Sequence, residues 1–312
     1  MFIDVAGQDI YWFIPPLVAL FISFFTSSGG VSGAFLILPF QVSILGFTTP
    51  AVSATNHLYN VVAIPGGITR YVREGRMLWH LTLIVAAGTL PGVFIGTIIR
   101  VEYLPDPVNF KIFAGFVLLY IGIRLLEDIL QKKKILQKTK TEEKFHDLVK
   151  RKQEDTYNTE EMPKIVVKKF NLSELKYEFY GDEYTVSNLK VLIISALVGI
   201  AGGTYGIGGG AIMAPLLVAI FHLPVYTIAG AALTGTFLSS FVAVVFFQIL
   251  DPYYPGFSIA PNWILGILFG LGGLAGTYLG AMSQKYMPAK LIKWILAACI
   301  LFVAIRYILY LF

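Results

Sequence analysis

"AGGTYGIGGGAIMAP", residues 201–215, carries six glycines in its first ten positions. Glycine at this density predicts a backbone that approaches another group closely. A phosphate-binding loop would be followed by Gly-Lys-Ser/Thr, or by an acidic residue about 20 positions on that holds a ribose, and neither is present. The flanks, "VLIISALVGI" and "IMAPLLVAIF", are almost entirely apolar. The glycines therefore interrupt a hydrophobic run.

The composition of the 312 residues is that of a membrane protein, with 56% hydrophobic and 14% charged residues. Soluble domains carry roughly a quarter charged residues. Of the 24 Lys and Arg and 19 Asp and Glu, 25 lie in residues 131–190. This segregation predicts an all-α, polytopic protein in a lipid bilayer, with one polar insert. We interpret the net charge of +5 as cytoplasmic-face lysines, and we expect no nucleic-acid partner.

Apolar segments between helix breakers predict about ten helices. Several are too short to cross a hydrocarbon core of about 30 Å upright, so broken or half helices are expected. Pro15, Pro50 and Pro224 fit helix starts, where a missing N–H costs little. The predicted helices cover residues 11–27, 33–46, 50–71, 78–99, 108–130, 190–202, 208–221, 225–249, 262–283 and 289–311.

Two motifs recur in the same order, which predicts an internal duplication. "GAFLILP" (33–39) aligns with "GGAIMAP" (209–215), and "GTLPGVFIG" (88–96) aligns with "GGLAGTYLG" (272–280). The chain then divides into a first membrane repeat, an insert and a second repeat, at residues 1–130, 131–188 and 189–312. Glycines four apart share one helix face and let helices pack backbone to backbone in lipid. Those of the second motif are Gly88, Gly92, Gly96, Gly272, Gly276 and Gly280.

The basic residues predict that the two repeats are inverted. After the third helix of the first half, "RYVREGRM" holds three arginines, whereas the equivalent "LDPYYPGFSIAPN" holds no basic residue. After the fourth helix the bias reverses. The loop of the first half, "RVEYLPDPVNFK", is nearly neutral, whereas the equivalent "QKYMPAKLIK" of the second half is rich in lysine. Basic loops face the cytoplasm. This places the insert in the cytoplasm and both termini outside, in a cell inner membrane.

Inverted repeats are typical of transporters whose substrate site lies where broken helices of the two halves meet. The breaks are "TSSGGVSG" (26–33) and "AGGTYGIGGG" (201–210). We find no Lys or Arg near the centre of a predicted helix, so a small anion would bind to backbone N–H groups at half-helix starts and to nearby side chains. For each hydroxyl the alternative is a bond within its own helix. The candidate residues are Ser28, Gly29, Gly30, Ser32, Gly33, Thr55, Asn56, His57, Thr204, Tyr205, Gly208, Gly209, Gly210, Thr234 and Thr236.

His57 lies within the predicted third helix, with Asn60 one turn beyond Asn56. It makes either an interhelical hydrogen bond or a contact with a proton or the substrate. Tyr205 is either a gate or a packing aromatic. No second histidine or carboxylate lies at ligand spacing from His57, and we expect no metal and no cofactor.

The insert contains two kinds of sequence. Residues 130–164 are rich in charge and predict a helical extension, whereas "IVVKKFNLSELKYEFYGDEYTV" (165–186) alternates enough for short strands. It holds no recognisable catalytic set. We expect a solvated linker subdomain, with a docking or regulatory element as the alternative.

The combination of a glycine-rich break running into "GGAIMAP", the stretch "RYVREGRMLW" and a glycine-spaced fourth helix resembles the TauE/SafE-type sulfite exporter family. The resemblance covers both membrane halves and implies transport of sulfite, thiosulfate, sulfoacetate or other organosulfonates. Two features depart from the family pattern. The first break lacks three consecutive glycines, and Thr55-Asn56 and Ala231-Ala232 replace a frequent Thr-Ser pair.

The expected function is therefore export of a small sulfur-containing anion by alternating access. An inside-negative potential favours anion exit by about 2.3 kcal/mol per charge per 100 mV, so export needs no coupled ion. The alternatives are a proton-coupled importer of a small organic anion and an anion channel. A membrane-embedded enzyme would need a catalytic set within the helices, and none is recognisable. The oligomeric state stays open.

The inverted topology predicts which residues face the cytoplasm. In a Cys299→Ser background, single cysteines at Arg73, Lys150 and Lys290 should react only with reagents on the cytoplasmic side. A cysteine at Tyr254 should react only from outside. Labelling of positions 73 and 254 from the same side would contradict the inversion.

Overall fold

The structure is a computed structural model that describes residues 2–5, 8–28, 32–73, 75, 77–130, 165–179, 181–221, 223–283 and 289–309. The predicted helical extension of the insert and Gly29 and Gly30 of the first break lie outside these residues. Within them the helices are α1 (Ile14–Ser28), α2 (Ala34–Ser43), α3 (Ala51–Ala63), α4 (Pro65–Arg73), α5 (Trp79–Ile98), α6 (Pro107–Leu130), α7 (Asn188–Tyr205), α8 (Gly210–Phe221), α9 (Val225–Leu250), α10 (Trp263–Ser283) and α11 (Ala289–Ile308).

The chain is mostly helical, as predicted, but it also contains two small antiparallel sheets. Strands β1 (Phe2–Val5) and β2 (Gln8–Tyr11) form a hairpin before α1, where the sequence predicted a helix from residue 11. The helix predicted over 50–71 is two helices, because Pro65 has no N–H to continue the ladder and starts α4. A π-helical turn, Ile99–Tyr103, extends α5 beyond its predicted end.

Five helical segments in the described part are long and apolar enough to cross a membrane: 79–103, 107–127, 188–205, 227–253 and 263–280. Shorter apolar helices cover 14–27, 34–43 and 296–308. The long and short segments together form a multi-pass membrane protein, as the composition predicted.

The glycine stripes join the two halves of the chain. A Cβ atom on Gly92 of α5 would overlap the carbonyl oxygen of Ala196 in α7, and one on Gly276 of α10 would overlap that of Leu20 in α1. Residue numbers rise together along both pairs, so α5 runs parallel to α7 and α10 runs parallel to α1. The helix predicted as the fourth of each half, α5 or α10, therefore packs on the first helix of the other half, as closely as backbones allow.

Helices α3 and α9 cross the centre of the molecule in opposite directions. The His57 and Phe247 rings lie 6.2 Å apart. Further along α3, Asn60 contacts Ser240, and in α4 a Cβ on Gly67 would lie 3.5 Å from Leu233. Residue numbers rise along α3 and α4 while those of the contacting residues in α9 fall. Helices α3 and α9 are therefore antiparallel. Helix α3 also packs on α10, and α9 packs on α5.

Helices α7 and α8 form a hairpin whose turn we call the second tip (residues 206–209). Helix α8 returns beside α7, which brings Ser195 Oγ of α7 within 3.7 Å of Met213 Sδ of α8. Gly206 and Gly208 have φ angles of +94° and +62°, which only glycine adopts without strain. A Cβ on Gly206 would lie 2.7 Å from the Ser53 carbonyl oxygen of α3. The glycine-rich stretch therefore approaches helix backbones.

The described part of the insert is a three-stranded sheet packed on the helices. It consists of β3 (Val166–Phe170), β4 (Glu174–Phe179) and β5 (Asp182–Ser187), as the alternating sequence predicted. Tyr177 of β4 is fully buried, and its hydroxyl lies 2.9 Å from Thr227 Oγ1 of α9. Burial raises the pKa of the Tyr177 phenol, which stays neutral. This sheet shares the helix core and is not a solvated linker.

Close helix packing predicts the effect of adding one methyl group. Gly276→Ala should lower the free energy of unfolding by about 1–3 kcal/mol, because the new Cβ overlaps the backbone of α1. The measurement is the thermal unfolding midpoint in detergent. Gly256→Ala is the matched control, since nothing lies within 4 Å of a Cβ there. Equal midpoints for the two variants would contradict the packing.

Candidate functional site

Four polar side chains of α3 form a stripe along one side of the helix. They are spaced by three or four residues, which places them on one face. All four are fully buried, and buried polar groups must be hydrogen-bonded. The α3 stripe consists of Ser53, Asn56, His57 and Asn60.

The α3 stripe binds backbone carbonyls at the end of α7 and in the second tip. The last carbonyls of a helix have no partner within that helix. Water is absent from a bilayer core, so such groups must be satisfied by protein. The bonds are Ser53 Oγ to Thr204 O (3.2 Å), Asn56 Nδ2 to Gly206 O (2.9 Å), His57 Nε2 to Gly203 O (3.4 Å) and Asn60 Nδ2 to Ile207 O (3.0 Å).

The same stripe binds the start of α2, where the first break ends. The Asn56 Nδ2 amide also donates to the Ala34 carbonyl (2.9 Å), and Asn60 Oδ1 accepts a bond from the Ser32 hydroxyl (2.9 Å). From the second half, the Tyr205 hydroxyl donates to the Phe35 carbonyl at 3.1 Å. Asn56 and Asn60 therefore each connect the first break to the second tip.

His57 lies in a chain of hydrogen bonds with a defined direction. A carbonyl oxygen only accepts, so Nε2 carries the proton that binds Gly203. In the neutral ring Nδ1 then accepts from the Ser240 hydroxyl (3.1 Å), and Ser240 Oγ in turn accepts from Asn60 Nδ2 (3.2 Å). Both ring nitrogens make interhelical bonds, which was one of the two interpretations of His57.

Comparison with known proteins identifies the family. The family model described as sulfite exporter TauE/SafE matches residues 16–307. The chain belongs to the sulfite exporter TauE/SafE family. No solved structure matches it.

Three relatives are named probable membrane transporter proteins. YdhB of Bacillus subtilis (strain 168) is 26% identical over 124 residues, which are 40% of this chain and 47% of YdhB. YunE of the same organism is 28% identical over 130 residues, 41% of this chain and 45% of YunE. The chain thus spans just under half the length of these two relatives. A protein of Xylella fastidiosa (strain Temecula1 / ATCC 700964) is 22% identical over 263 residues, 84% of this chain and 80% of the relative.

In this TauE/SafE family member the candidate threonines donate to their own helices, as the alternative for hydroxyls predicted, and Thr204 also lies 3.0 Å from the Gly96 carbonyl oxygen of α5. Each bonds to the carbonyl four residues earlier. A role for these residues with an anion stays a prediction. The bonds are Thr55 to Ala51 (2.7 Å), Thr204 to Ile200 (2.9 Å), Thr234 to Gly230 (2.9 Å) and Thr236 to Ala232 (2.8 Å).

The candidate glycines lie around the two half-helix starts. Gly33 precedes α2, and at this helix start the Ala34 N–H donates to the Ser32 hydroxyl oxygen at 3.4 Å. Gly209 precedes α8, where the bond from Met213 N to Gly209 O closes the first turn and the N–H groups before it point out of the helix start. Gly210 begins α8, Gly208 contacts Thr236, and Ser28 ends α1.

Several buried polar residues were not predicted from the sequence, among them Gln41, Arg100, Ser53 and Ser240. Gln41 of α2 donates from Nε2 to Asn56 Oδ1 (3.3 Å), while its buried Oε1 has no hydrogen-bond partner among the residues described. Arg100 is fully buried in the π-helical turn after α5, but the sequence analysis assigned it to a loop. The signal was available, because isoleucines precede Arg100 and Val101 follows it. In the described residues no group of three or more His, Cys, Asp or Glu could hold a metal ion.

The bridging role of Asn56 predicts a loss of stability when its amide is removed. Asn56→Leu leaves the Ala34 and Gly206 carbonyls unpaired, at a cost of about 1–3 kcal/mol each. Thermal unfolding in detergent checks this. Thr236→Val is the control, because its hydroxyl bonds only within α9 and valine keeps its shape. If both variants unfold at the wild-type temperature, the bridge does not hold the breaks together.

Proposed function

We propose that this transporter exports a small sulfur-containing anion, such as sulfite, thiosulfate, sulfoacetate or another organosulfonate, across the cell membrane by alternating access. The main observation in support is that Asn56 and Asn60 connect the first break to the second tip by hydrogen bonds. Broken helices of two halves that meet at one place form the usual substrate site of such transporters. The family supports the substrate class.

We further propose that residues 1–130 and 189–312 are inverted repeats around this site. Three packing relations support the proposal. The halves exchange partners, α1 with α10 and α7 with α5, and both pairs run parallel. The equivalent third helices, α3 and α9, run antiparallel. The basic loops then place the insert in the cytoplasm and both termini outside.

The anion-binding donors are backbone N–H groups at the starts of α2 and α8. A naked dianion in hydrocarbon costs on the order of tens of kcal/mol, so the site must supply several charge-assisted bonds. Helix starts offer orphan N–H groups and the positive end of the helix dipole. The α3 stripe gives its amide donors to three carbonyls and to the Ser240 hydroxyl oxygen. Its role in the proposal is to position the two helix starts.

The hydrogen bonds of His57 and the inside-negative membrane potential both favour export over proton-driven import. Both nitrogens of His57 already contact protein atoms, Ser240 and Gly203, which favours a positioning role. The inside-negative potential drives anions outward by about 2.3 kcal/mol per charge per 100 mV. A dianion therefore leaves the cell without a coupled proton.

Flux in proteoliposomes tests the function. Radiolabelled sulfite or thiosulfate should leave vesicles with saturable kinetics, faster at an inside-negative potential, and His57→Gln should retain most of this flux with little change in pH dependence. Empty vesicles and Gly256→Ala protein are the controls. A requirement for an inward proton gradient that His57→Gln abolishes would show an importer instead, and unsaturable conductance would show a channel.

A further inference from the structure

Arg100 is a buried cation with no carboxylate partner among the residues that the structure describes. Its side chain is fully buried, and arginine is almost never fully buried unless it is paired. Among the described residues its partners are neutral: Ser53 Oγ (3.1 Å from Nε), the Thr48 carbonyl (3.2 Å from Nη2), the Leu104 carbonyl and the Phe110 ring, whose centroid lies 3.8 Å from Cζ. These contacts satisfy hydrogen bonds but leave the positive charge uncompensated.

The acidic side chains nearest in sequence and in the facing loop are engaged elsewhere. Glu102 accepts a hydrogen bond from the Tyr254 hydroxyl. Asp106 caps the start of α6 by accepting from the Val108 N–H at 3.0 Å. Asp251, in the loop after α9, accepts from the Ile259 N–H at 3.0 Å. None of the three forms an ion pair with Arg100 in the described structure.

Arg100 is connected to the second tip through one hydroxyl group. Ser53 Oγ accepts from Arg100 Nε and donates to the Thr204 carbonyl at the end of α7. The Ser53 backbone is also where Gly206 approaches α3 most closely. The uncompensated charge therefore lies beside the hairpin turn at which the proposed function places the anion.

The guanidinium has donors left for a ligand. Arginine carries five N–H groups, and the protein bonds above use three. Thr97, one turn earlier, has a buried hydroxyl oxygen with no hydrogen-bond partner in the described part of the chain. Residues three apart lie on the same side of a helix. A planar fork of N–H groups and a hydroxyl on the same side of one helix suit an oxyanion.

We infer that Arg100 and the Thr97 hydroxyl form a binding site for a small oxyanion beside the second tip, at the end of α5. The ligand class rests on the proposed function, and the chemistry is that of a compact, doubly charged group such as sulfite or thiosulfate. The site supplies the full positive charge that the backbone donors at the helix starts lack. The anion occupies it on its way between the second tip and the membrane surface at this end of α5.

Equilibrium binding to the purified full chain tests the inference. The probes are radiolabelled sulfite and thiosulfate in detergent, below the unfolding temperature of every variant. Arg100→Gln should raise the apparent Kd roughly tenfold to a hundredfold, the equivalent of about one charge-assisted hydrogen bond. Arg100→Lys keeps the charge but loses the planar fork of N–H groups. Its apparent Kd should lie between those of Arg100→Gln and the wild type. Arg124→Gln should bind as wild type does, because Arg124 is partly exposed and paired with Glu127 at 2.8 Å.

A purely structural Arg100 would behave differently. In that case Arg100→Gln and Arg100→Lys would lower the unfolding temperature while the folded fraction bound the probes with the wild-type Kd, and the inference would be overturned. Unchanged KM for flux in Arg100→Gln vesicles would also overturn it and would leave the export proposal standing. Conversely, Arg100-dependent binding without flux in wild-type vesicles would retain the site and refute transport of these anions.

Discussion

Backbone carbonyls freed inside an apolar bundle must find protein donors, and the rest of the structure depends on how this chain supplies them. The α3 stripe binds four consecutive or near-consecutive carbonyls at the end of α7 and in the second tip. Without those donors each carbonyl would carry a desolvation penalty of about 1–3 kcal/mol. The hairpin turn can therefore exist at this depth only where α3 lies against it.

Glycine makes that contact geometrically possible. Gly206 brings the tip against the α3 backbone, and the stripes on α5 and α10 bring these helices against α7 and α1. In lipid no hydrophobic force drives helices together, so close backbone packing supplies much of the attraction. Each half is consequently held by the other, and any movement between halves must slide along these surfaces or reshape the hydrogen bonds at α3.

The buried polar groups around α3 divide into two kinds. The first kind donates its N–H groups to protein acceptors and holds the first break and the second tip together, as Asn56, His57 and Asn60 do. Arg100, by contrast, keeps donors and a full charge that described neighbours do not neutralise. If the protein transports anions, as we propose, it needs both kinds, because positioning groups must stay satisfied whether or not the substrate is bound, whereas a binding group must gain a partner with it.

The sequence by itself determined the membrane class, most helix positions, the paired breaks and the glycine faces, because hydropathy, helix breakers and spacing are local properties. It also singled out Asn56, His57 and Asn60 as one polar face. The partners of that face were not readable: Gly203, Gly206 and Ile207 lie about 150 residues further along the chain. Only the tertiary structure decided that the amides bind carbonyls, that the glycines contact helix backbones, and that Arg100 is buried. The physical reason is that burial and hydrogen-bond pairing depend on which distant segments meet, and a sequence pattern specifies a face without specifying what covers it.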